Sequence, residues 1–462
     1  MKQTGTPNKS ANKVIQYKLN NGRWQTWDMS AVTLADGDKM YIKSDDEIPV
    51  SESNEIYKQF VITGSIAASG NTMSLLNFST TLTDHAFCKM FGHCSSLTQP
   101  PTLPATTLSS YCYKDMFNGC SSLVQPPTLP ATTLAQYCYS KMFYGCTSLT
   151  TTPELPATTL AYTCYNNMFS RCTSLTAAPA LPATTLTDYC YEDMFFGCTS
   201  LVTAPELHAT TLSNGCYRRM FNDCTSLTAA PALPATTLAQ YCYSKMFYGC
   251  TSLTTAPELP ATTLAYACYD SMFYGCTSLT AAPELPATTL TPSCYEGMFA
   301  FCTSLTTAPE LHATTLSTEC YNQMFFSCSS LTTAPELPAT TLYTRCYYGM
   351  FRNCTTLINA PALPATTLSS YCYSNMFYGC TSLTTAPELP ATKLREYCYY
   401  NMFNGCSNLN YVKAMFTDIS ATGCLNIWLN NVSSTGTFIK SKDATWTKEQ
   451  AGIPDGWTVQ TA

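Results

Sequence analysis

The sequence predicts an α/β solenoid built from about 13 units of 26 residues each. Each unit is marked by two cysteines eight positions apart, as at Cys138 and Cys146, and each cysteine recurs 13 times at a constant 26-residue interval. Together with the out-of-register Cys88, they account for all 27 cysteines of the chain. A fixed period of about 20–50 residues is typical of stacked supersecondary units. Such an array exposes an extended surface and encloses no central pocket, which favours a binding protein over an enzyme.

The composition excludes several classes of function. Charged residues make up only 11% of the chain, against about 25% in an average soluble protein. A net charge of −6 without a basic run argues against a nucleic-acid partner. No stretch approaches 18 consecutive apolar residues, so no membrane insertion is expected. Residues 1–7 also lack the apolar segment of a secretory signal.

Residues 1–80 lie outside the repeat and predict a small β-rich module that attaches the array or caps one of its ends. Two strand-like runs, 15–19 and 23–27, flank Asn20-Asn21-Gly22, which is a good hairpin signal. Further strands are predicted at 39–43 and 57–62 because both runs are rich in β-branched and aromatic residues.

Each unit within residues 81–410 predicts one short helix and one short strand. Leu134, Cys138, Met142 and Cys146 recur every four positions, which is the spacing of one helical face, and Gly145 stands where that helix can end. Residues 147–151 have β-branched character and predict a strand. One strand and one helix per turn, with leucines at fixed offsets, is a leucine-rich-repeat-like arrangement.

Residues 411–462 break the repeat pattern. They carry Trp428, Trp446 and Trp457, and a turn-rich segment precedes the last of these tryptophans. Because a terminal unit must shield the open end of a solenoid core, this segment predicts a C-terminal cap.

The string Met-Phe-x-x-Cys-Thr-Ser-Leu-Thr, as at residues 142–150, resembles the BspA-type (Treponema-like) leucine-rich repeats of bacterial surface proteins. The resemblance covers about 330 of the 462 residues. It implies adhesion and protein–protein recognition at a cell surface, without catalysis. The Pro-x-Leu-Pro-Ala-Thr-Thr-Leu half of the unit and the missing export signal resemble variants of Bacteroidales and their phages, in which such arrays can sit on virions.

The cysteines predict two ladders of reduced, buried thiols, with disulfides between units as the alternative. Four histidines are too few for a zinc site in each unit, and the one cluster, His85, Cys88, His93 and Cys94, fits no zinc spacing. No metal or other cofactor is therefore expected. The repeated tyrosines, such as Tyr139, are expected to pack with only their hydroxyl groups exposed.

Two pairs of positions differ from unit to unit, one pair after Cys-Tyr and one after Met-Phe, whereas the rest of the unit hardly changes. Free variation on an unused face is one interpretation. The other is a recognition surface, because Tyr, Asn, Arg and Phe are useful binding chemistry. The candidate binding residues at these positions are Lys114, Asp115, Arg218, Arg219, Asn322, Gln323, Tyr144, Phe196 and Arg352.

The sequence therefore predicts a non-enzymatic recognition or adhesion protein on a virion or bacterial surface, in the first instance a tail- or fibre-associated adhesin of a phage. A bacterial surface adhesin and a structural spacer without a specific ligand are the alternatives. The expected partner is a protein or glycan on a cell surface. Homo-oligomerisation, or attachment to a larger assembly through residues 1–80, would suit either kind of adhesin.

Overall fold

The repeats consist of overlapping turns joined by extended segments, as the computed structural model of the chain shows over residues 1–6 and 13–462. In one repeat, the amides of Cys138 and Met142 donate to carbonyl oxygens three residues earlier, at 3.3 and 3.1 Å. The amides of Tyr139 and Phe143 donate instead to carbonyl oxygens 25 positions later, at 3.1 and 2.9 Å. We call the stretch of overlapping turns, residues 136–145 in this repeat, the turn run of a repeat. Along the turn run, amides that close a turn therefore alternate with amides that bind the next repeat.

Every fourth residue of the turn run has a left-handed backbone. The φ angles of Tyr137, Lys141 and Gly145 are 54°, 56° and 68°. Glycine adopts this conformation without steric cost, and Asn and Asp tolerate it better than most residues. Gly145 thus provides a positive φ inside the turn run, and it does not end a helix.

The predicted helix, and with it the α component of the fold class, is wrong. Helix in the described part of the chain is limited to one 3₁₀ segment, Thr72–Leu76. An α-helix turns by about 100° per residue, so side chains spaced four apart drift by about 40° at each step. The constant spacing of four from Leu134 to Cys146 instead follows the turns, which restart every four residues.

The predicted strand after each turn run is reduced to single-residue parallel bridges between neighbouring repeats. Ala281 bridges Thr307, which in turn bridges Thr333. A second column of bridges joins the Ala-Thr-Thr-Leu segments, as between Thr237 and Thr263. The repeats therefore contain sheet-like pairing without long strands.

Named strands occur mainly outside the repeats. They are β1 (Lys2–Thr4), β2 (Gln16–Leu19), β3 (Gln25–Thr26), β4 (Met40–Lys43), β5 (Tyr57–Gln59), β6 (Ile66–Ala67), β7 (Leu97–Gln99), β8 (Tyr411–Ala414), β9 (Gly436–Lys440) and β10 (Trp457–Thr461). The described residues form two compact units, one of Met1–Ala209 with Arg219–Leu227 and the other of Thr210–Arg218 with Thr228–Ala462.

The predicted hairpin and strands of the N-terminal module are confirmed within the described residues, and residues 7–12 of that module lie outside them. Strands β2, β3 and β4 form an antiparallel sheet, and β1 pairs with β5. Residues 50–66 then lie against the first turn run. The amides of Val50 and Phe60 donate to the carbonyl oxygens of Ala86 and Met90 at 3.1 and 2.8 Å, and β6 pairs in parallel with β7. This segment covers the first repeat of the first compact unit.

The C-terminal residues add strands to one side of the last repeat. Strands β8, β9 and β10 form a parallel sheet in that order. Trp428 is fully buried, and its indole Nε1 donates to the carbonyl oxygen of Ala451 at 2.7 Å. Strand β9 therefore covers β8, and the segment before β10 covers Trp428.

The core is a set of columns in which the same residue type stacks from repeat to repeat. Leucine, methionine, cysteine and phenylalanine positions of the repeats are almost completely buried, as the sequence predicts. The phenylalanine rings stack at 5.6–5.8 Å between centroids in successive repeats of each compact unit. The expected exposure of the tyrosine hydroxyl groups is wrong, because the hydroxyl oxygens of Tyr295 and Tyr347 are buried as well.

All 27 cysteines are buried, and none of them forms a disulfide in this structure. The second cysteine of a repeat donates its thiol hydrogen to a phenylalanine carbonyl, as from Cys276 Sγ to Phe247 O at 3.1 Å. The backbone amide of Cys268, the first cysteine of its repeat, donates to the carbonyl oxygen of Ala265 at 3.3 Å, but its thiol donates no hydrogen bond within the described part of the chain.

This difference predicts unequal effects of serine at the two positions. We expect Cys268→Ser to lower the free energy of unfolding by about 1–3 kcal/mol, because its hydroxyl would be buried without an acceptor. Cys276→Ser should cost less, because the carbonyl oxygen of Phe247 already accepts from this position. Urea titrations of both variants, with the two alanine variants as controls, measure the difference. Equal losses at the two positions would contradict the assignment.

Candidate recognition surface

The turn runs place the varied residues on one face of the repeats. The positions after Met-Phe, such as Tyr144 and Gly145, are partly exposed beside buried Met142 and Phe143. The positions after Cys-Tyr precede them by four residues, one step of the turn run. Because each repeat binds the next through backbone hydrogen bonds, equivalent side chains of successive repeats are direct neighbours.

Half-exposed aromatic rings and arginines after Met-Phe stack into a column, which we call the first ribbon. In the second compact unit, the rings of Tyr248 and Tyr274 stack at 4.4 Å, and Phe301 follows at 5.1 Å from Tyr274. Phe326 lies at 4.8 Å from Phe301. The guanidinium of Arg352 then lies between Phe326 and Tyr378, at 5.4 and 4.8 Å. The ribbon therefore has no break over these six repeats.

The first compact unit contains a shorter first ribbon of three side chains. The guanidinium of Arg171 lies 5.8 Å from the Tyr144 ring and 5.9 Å from the Phe196 ring. A cation over an aromatic face is attracted by the ring quadrupole. Two predicted residues, Tyr144 and Phe196, thus enclose an arginine that the candidate set did not include.

The ribbon stays continuous where the order of the varied pair is reversed. Five repeats carry an aromatic residue followed by glycine, as at Tyr274 and Gly275. Ser170-Arg171 and Ala300-Phe301 place the small residue first, and in both pairs the second residue fills the column. Free variation would not preserve the column through such reversals, so this observation favours a maintained surface.

A second ribbon runs along the positions just before Cys-Tyr. In the first compact unit it joins His85, Tyr111, Tyr137, Tyr162 and Tyr189, with ring distances from 4.5 to 6.2 Å. In the second unit it has separate pieces, which include Tyr241 with Tyr266, and Arg345 with Tyr371 and Tyr397. Reversed pairs occur here too, because Tyr162 precedes Thr163 where Tyr137 holds the equivalent ring in its repeat.

Polar side chains after Cys-Tyr lie between the two ribbons in sequence and bind one another across repeats. Asn166 Nδ2 donates to Glu192 at 2.9 Å, and Asn322 Nδ2 donates to Glu296 at 3.0 Å. Burial raises the pKa of the Glu296 carboxyl above its ordinary value. Arg219 forms an ion pair with the buried Asp193 at 2.7 Å.

The remaining predicted residues fall into two groups, those that lie away from the ribbons and those that lie along or between them. Lys114 contacts Asn54 of the N-terminal module at 3.0 Å, and Asp115 is buried and accepts from Asn118 at 2.7 Å. The guanidinium of Arg218 lies 5.9 Å from the Tyr241 ring of the second ribbon. The remaining one, Gln323, is half-exposed beside Asn322. Lys114 thus joins a turn run to the N-terminal module and Asp115 binds within its own turn run, whereas the others lie along or between the ribbons.

One shallow depression of about 110 Å³ borders the first ribbon of the first compact unit. It is lined by Tyr144, Asn167, Ser170, Asp193, Phe196 and Arg219. The hydroxyl of Ser170 is buried there and has no hydrogen-bond partner in the described part of the chain. Three of these six residues, Tyr144, Phe196 and Arg219, belong to the candidate set, and the other three also lie at varied positions of their repeats.

Residues outside the turn runs form no comparable surface. The glutamates of the extended segments, such as Glu258, Glu284 and Glu336, are solvent-exposed. His208 and His312 each lie beside a glutamate of their own repeat, at 3.8 and 3.7 Å. Within residues 1–6 and 13–462, no group of three His, Cys, Asp or Glu side chains could hold a metal ion. None of the described helical segments is long and apolar enough to cross a membrane.

Comparison with known proteins identifies the repeats. No curated protein and no solved structure matches the chain significantly. A family model described as "BspA type Leucine rich repeat region (6 copies)" matches residues 80–228, 217–358, 267–410 and 318–442. These overlapping matches cover most of the 462 residues, so the chain belongs to the BspA-type leucine-rich-repeat family.

Proposed function

We propose that the protein is a non-enzymatic recognition or adhesion protein, exposed on a virion or cell, and that the two ribbons of its turn runs form the binding face. Membership of the BspA-type family supports a surface-exposed, adhesion-type repeat protein. The continuity of the ribbons through the reversed pairs Ser170-Arg171 and Ala300-Phe301 carries the choice of face. About 13 units and a C-terminal cap over residues 411–462 are part of the same proposal.

The chemistry of the ribbons suits a protein or glycan ligand. The rings of Tyr and Phe provide large contact areas at small entropic cost, and Tyr and Arg are among the residue types that dominate binding energy at interfaces. The polar groups between the ribbons, such as Asn322 with Glu296, offer directional hydrogen bonds. A flat face of this kind binds through many side chains and needs no deep pocket.

The proposed location is a phage tail or fibre, with the N-terminal module as the attachment point. A bacterial surface adhesin is the alternative location. Mass spectrometry of purified phage particles and of washed bacterial envelopes separates the two. Recovery from particles supports the virion adhesin, whereas recovery only from envelopes supports the cell-surface alternative.

Binding by the ribbons predicts a loss that is confined to their side chains. We expect the triple variant Tyr274→Ser, Phe301→Ser and Arg352→Ser to bind intact Bacteroidales cells at least about tenfold more weakly, a change of about 1.4 kcal/mol. The measurement is cell-bound fluorescence of the labelled full chain. The matched control substitutes serine for the exposed Glu258, Glu284 and Glu336 of the extended segments.

The control should bind like the unchanged chain. Equal loss in both variants would place the binding face elsewhere. No binding by the unchanged chain would favour the remaining hypothesis, a structural spacer without a specific ligand. The spacer hypothesis is supported by one observation, that varied polar residues such as Asn166 and Glu192 bind one another.

A further inference from the structure

The turn runs require an acceptor on their C-terminal side. In the repeat that contains Tyr397, Tyr399 and Asn401, the amides of these residues donate to carbonyl oxygens of the following run at 2.9, 3.1 and 3.0 Å. The same pattern holds in the earlier repeats. A buried or partly buried amide without an acceptor is unfavourable, so each run is completed by the run that follows it.

The last turn run lacks that completion. Gly423, Leu425 and Ile427 occupy the positions equivalent to Tyr397, Tyr399 and Asn401, and their amides have no acceptor in the described part of the chain. The intervening amides of Cys424 and Asn426 keep their turn hydrogen bonds, each at 3.2 Å. These three donors, two residues apart, are therefore left open along one edge, as are the amides of Leu429 and Asn431 further along the same run.

The opposite kind of edge is covered at the start of the repeats. The first turn run would present carbonyl oxygens, and the N-terminal module occupies them. Val50 N and Phe60 N bind the carbonyl oxygens of Ala86 and Met90, and Ser51 Oγ binds that of Cys88 at 3.0 Å. The acceptor edge is thus satisfied within the chain, whereas the donor edge is not.

The open donors line a depression of about 270 Å³, just below the ~300 Å³ of small ligand sites. Gly423, Leu425 and Ile427 form one side, and Glu449, Gln450 and Gly452 form another. On the strand side of the same compact unit, β9 and β10 continue the sheet two strands beyond β8. The sheet therefore continues two strands beyond β8, whereas the turn runs end with the one that contains Gly423. The space beside that last run can accept one more segment.

We propose that this edge binds a peptide segment of a partner protein, whose backbone carbonyl oxygens accept from Gly423, Leu425 and Ile427 as a following repeat would. Addition of a segment to an open backbone edge is a recurring mode of peptide recognition. The exposed carboxylate of Glu449 disfavours an anion at this place and can accept from backbone amides of the segment. The residues that line this site do not belong to the ribbons, so its test is independent of the proposed function.

A second copy of this chain is a poorer occupant. Its own first turn run would have to supply the carbonyl oxygens, and those of Ala86 and Met90 are already bound to its N-terminal module. Head-to-tail stacking of two chains would require that module to detach.

The test is hydrogen exchange on the full chain, read amide by amide. In the free protein we expect fast exchange at Gly423, Leu425 and Ile427 and slow exchange at Tyr397, Tyr399 and Asn401. The probe is an acetylated and amidated peptide with the sequence of residues 395–406, a turn run of this same chain. Saturating peptide should slow exchange at the three open amides by at least about tenfold, because they become hydrogen-bonded.

Two variants locate the effect. Asn426→Trp, at an exposed residue that lines the depression, should abolish the slowing, and Asn430→Trp, exposed in the same run but outside the depression, should leave it unchanged. Slow exchange at the three amides of the free protein overturns the proposal. So does an absence of slowing at millimolar peptide, since backbone pairing tolerates most sequences. Slowing that depends on protein concentration without peptide assigns the edge to a second copy and also overturns it.

Discussion

Phe273→Ala is expected to lower the local free energy of unfolding by about 3–5 kcal/mol, the range observed when a buried phenylalanine is truncated to alanine. Phe273 is completely buried, and its ring stacks 5.6 Å from those of both Phe247 and Phe299. The substitution therefore removes two ring contacts and leaves a cavity between them. Because a repeat contacts only its neighbours, the loss should be confined to this repeat and the adjacent ones.

Hydrogen exchange of the turn-run amides measures this loss where it occurs. The amides of Tyr269 and Phe273 bind the following repeat at 3.1 and 2.9 Å, so their protection reports the junction directly. The control is Phe301→Ala, which removes a half-exposed ring of the first ribbon and should cost much less. Similar losses in the two variants would contradict the division between core and binding face.

The second large effect is expected at alkaline pH, where the protein should unfold steeply. Burial raises the pKa of the thiols of Cys190 and Cys198, in one repeat, to about 12. In the unfolded chain these thiols ionise near pH 8.5. Above that pH the unfolded state has released protons that the folded state keeps, so the free energy of unfolding falls as pH rises.

The slope follows from the number of thiols. Each contributes a loss of about 1.4 kcal/mol per pH unit between the two pKa values, so the two cysteines of one repeat contribute about 3 kcal/mol per pH unit. Burial raises the pKa of the tyrosine hydroxyls in the core as well, for example at Tyr165, and these add to the slope above about pH 10.

Urea midpoints between about pH 7 and pH 11, with a reductant present, measure this slope. The control variant combines Cys190→Ala with Cys198→Ala, and exchange of nearby amides should show a shallower pH dependence in that repeat alone. Stability that stays constant up to pH 11 would contradict the assignment of buried, protonated thiols.

The sequence predicted best which residues are neighbours in successive repeats and which of them are buried. The 26-residue period identifies which residues are neighbours, and the burial of Leu149 and Cys146 follows from it. The helix prediction failed because a spacing of four was treated as a spacing of 3.6. Lys141 and Gly145, four apart and both with positive φ, show the local conformation that the periodicity alone does not reveal.

The ribbons could be predicted only in part, because they depend on which member of each varied pair fills the column. Tyr144 and Phe196 were identified, whereas Arg171 between them was not, since its backbone position differs by one residue. The role of Phe60 was also hidden. It lies outside the repeat in sequence, yet its ring stacks on Phe91 at 4.9 Å and its carbonyl oxygen accepts from Cys94, as a repeat phenylalanine does.

The alternating hydrogen bonds of the turn runs have a mechanical consequence. The bonds that join one repeat to the next, such as that from Phe299 N to Met324 O at 2.9 Å, point from repeat to repeat. A pulling force applied along that direction loads successive junctions in series, so the weakest junction yields while the others hold. Each repeat that is released adds 26 residues of extended chain, roughly 90 Å of slack. Extension under load should therefore proceed in steps of one repeat, while the repeats away from the broken junction stay folded.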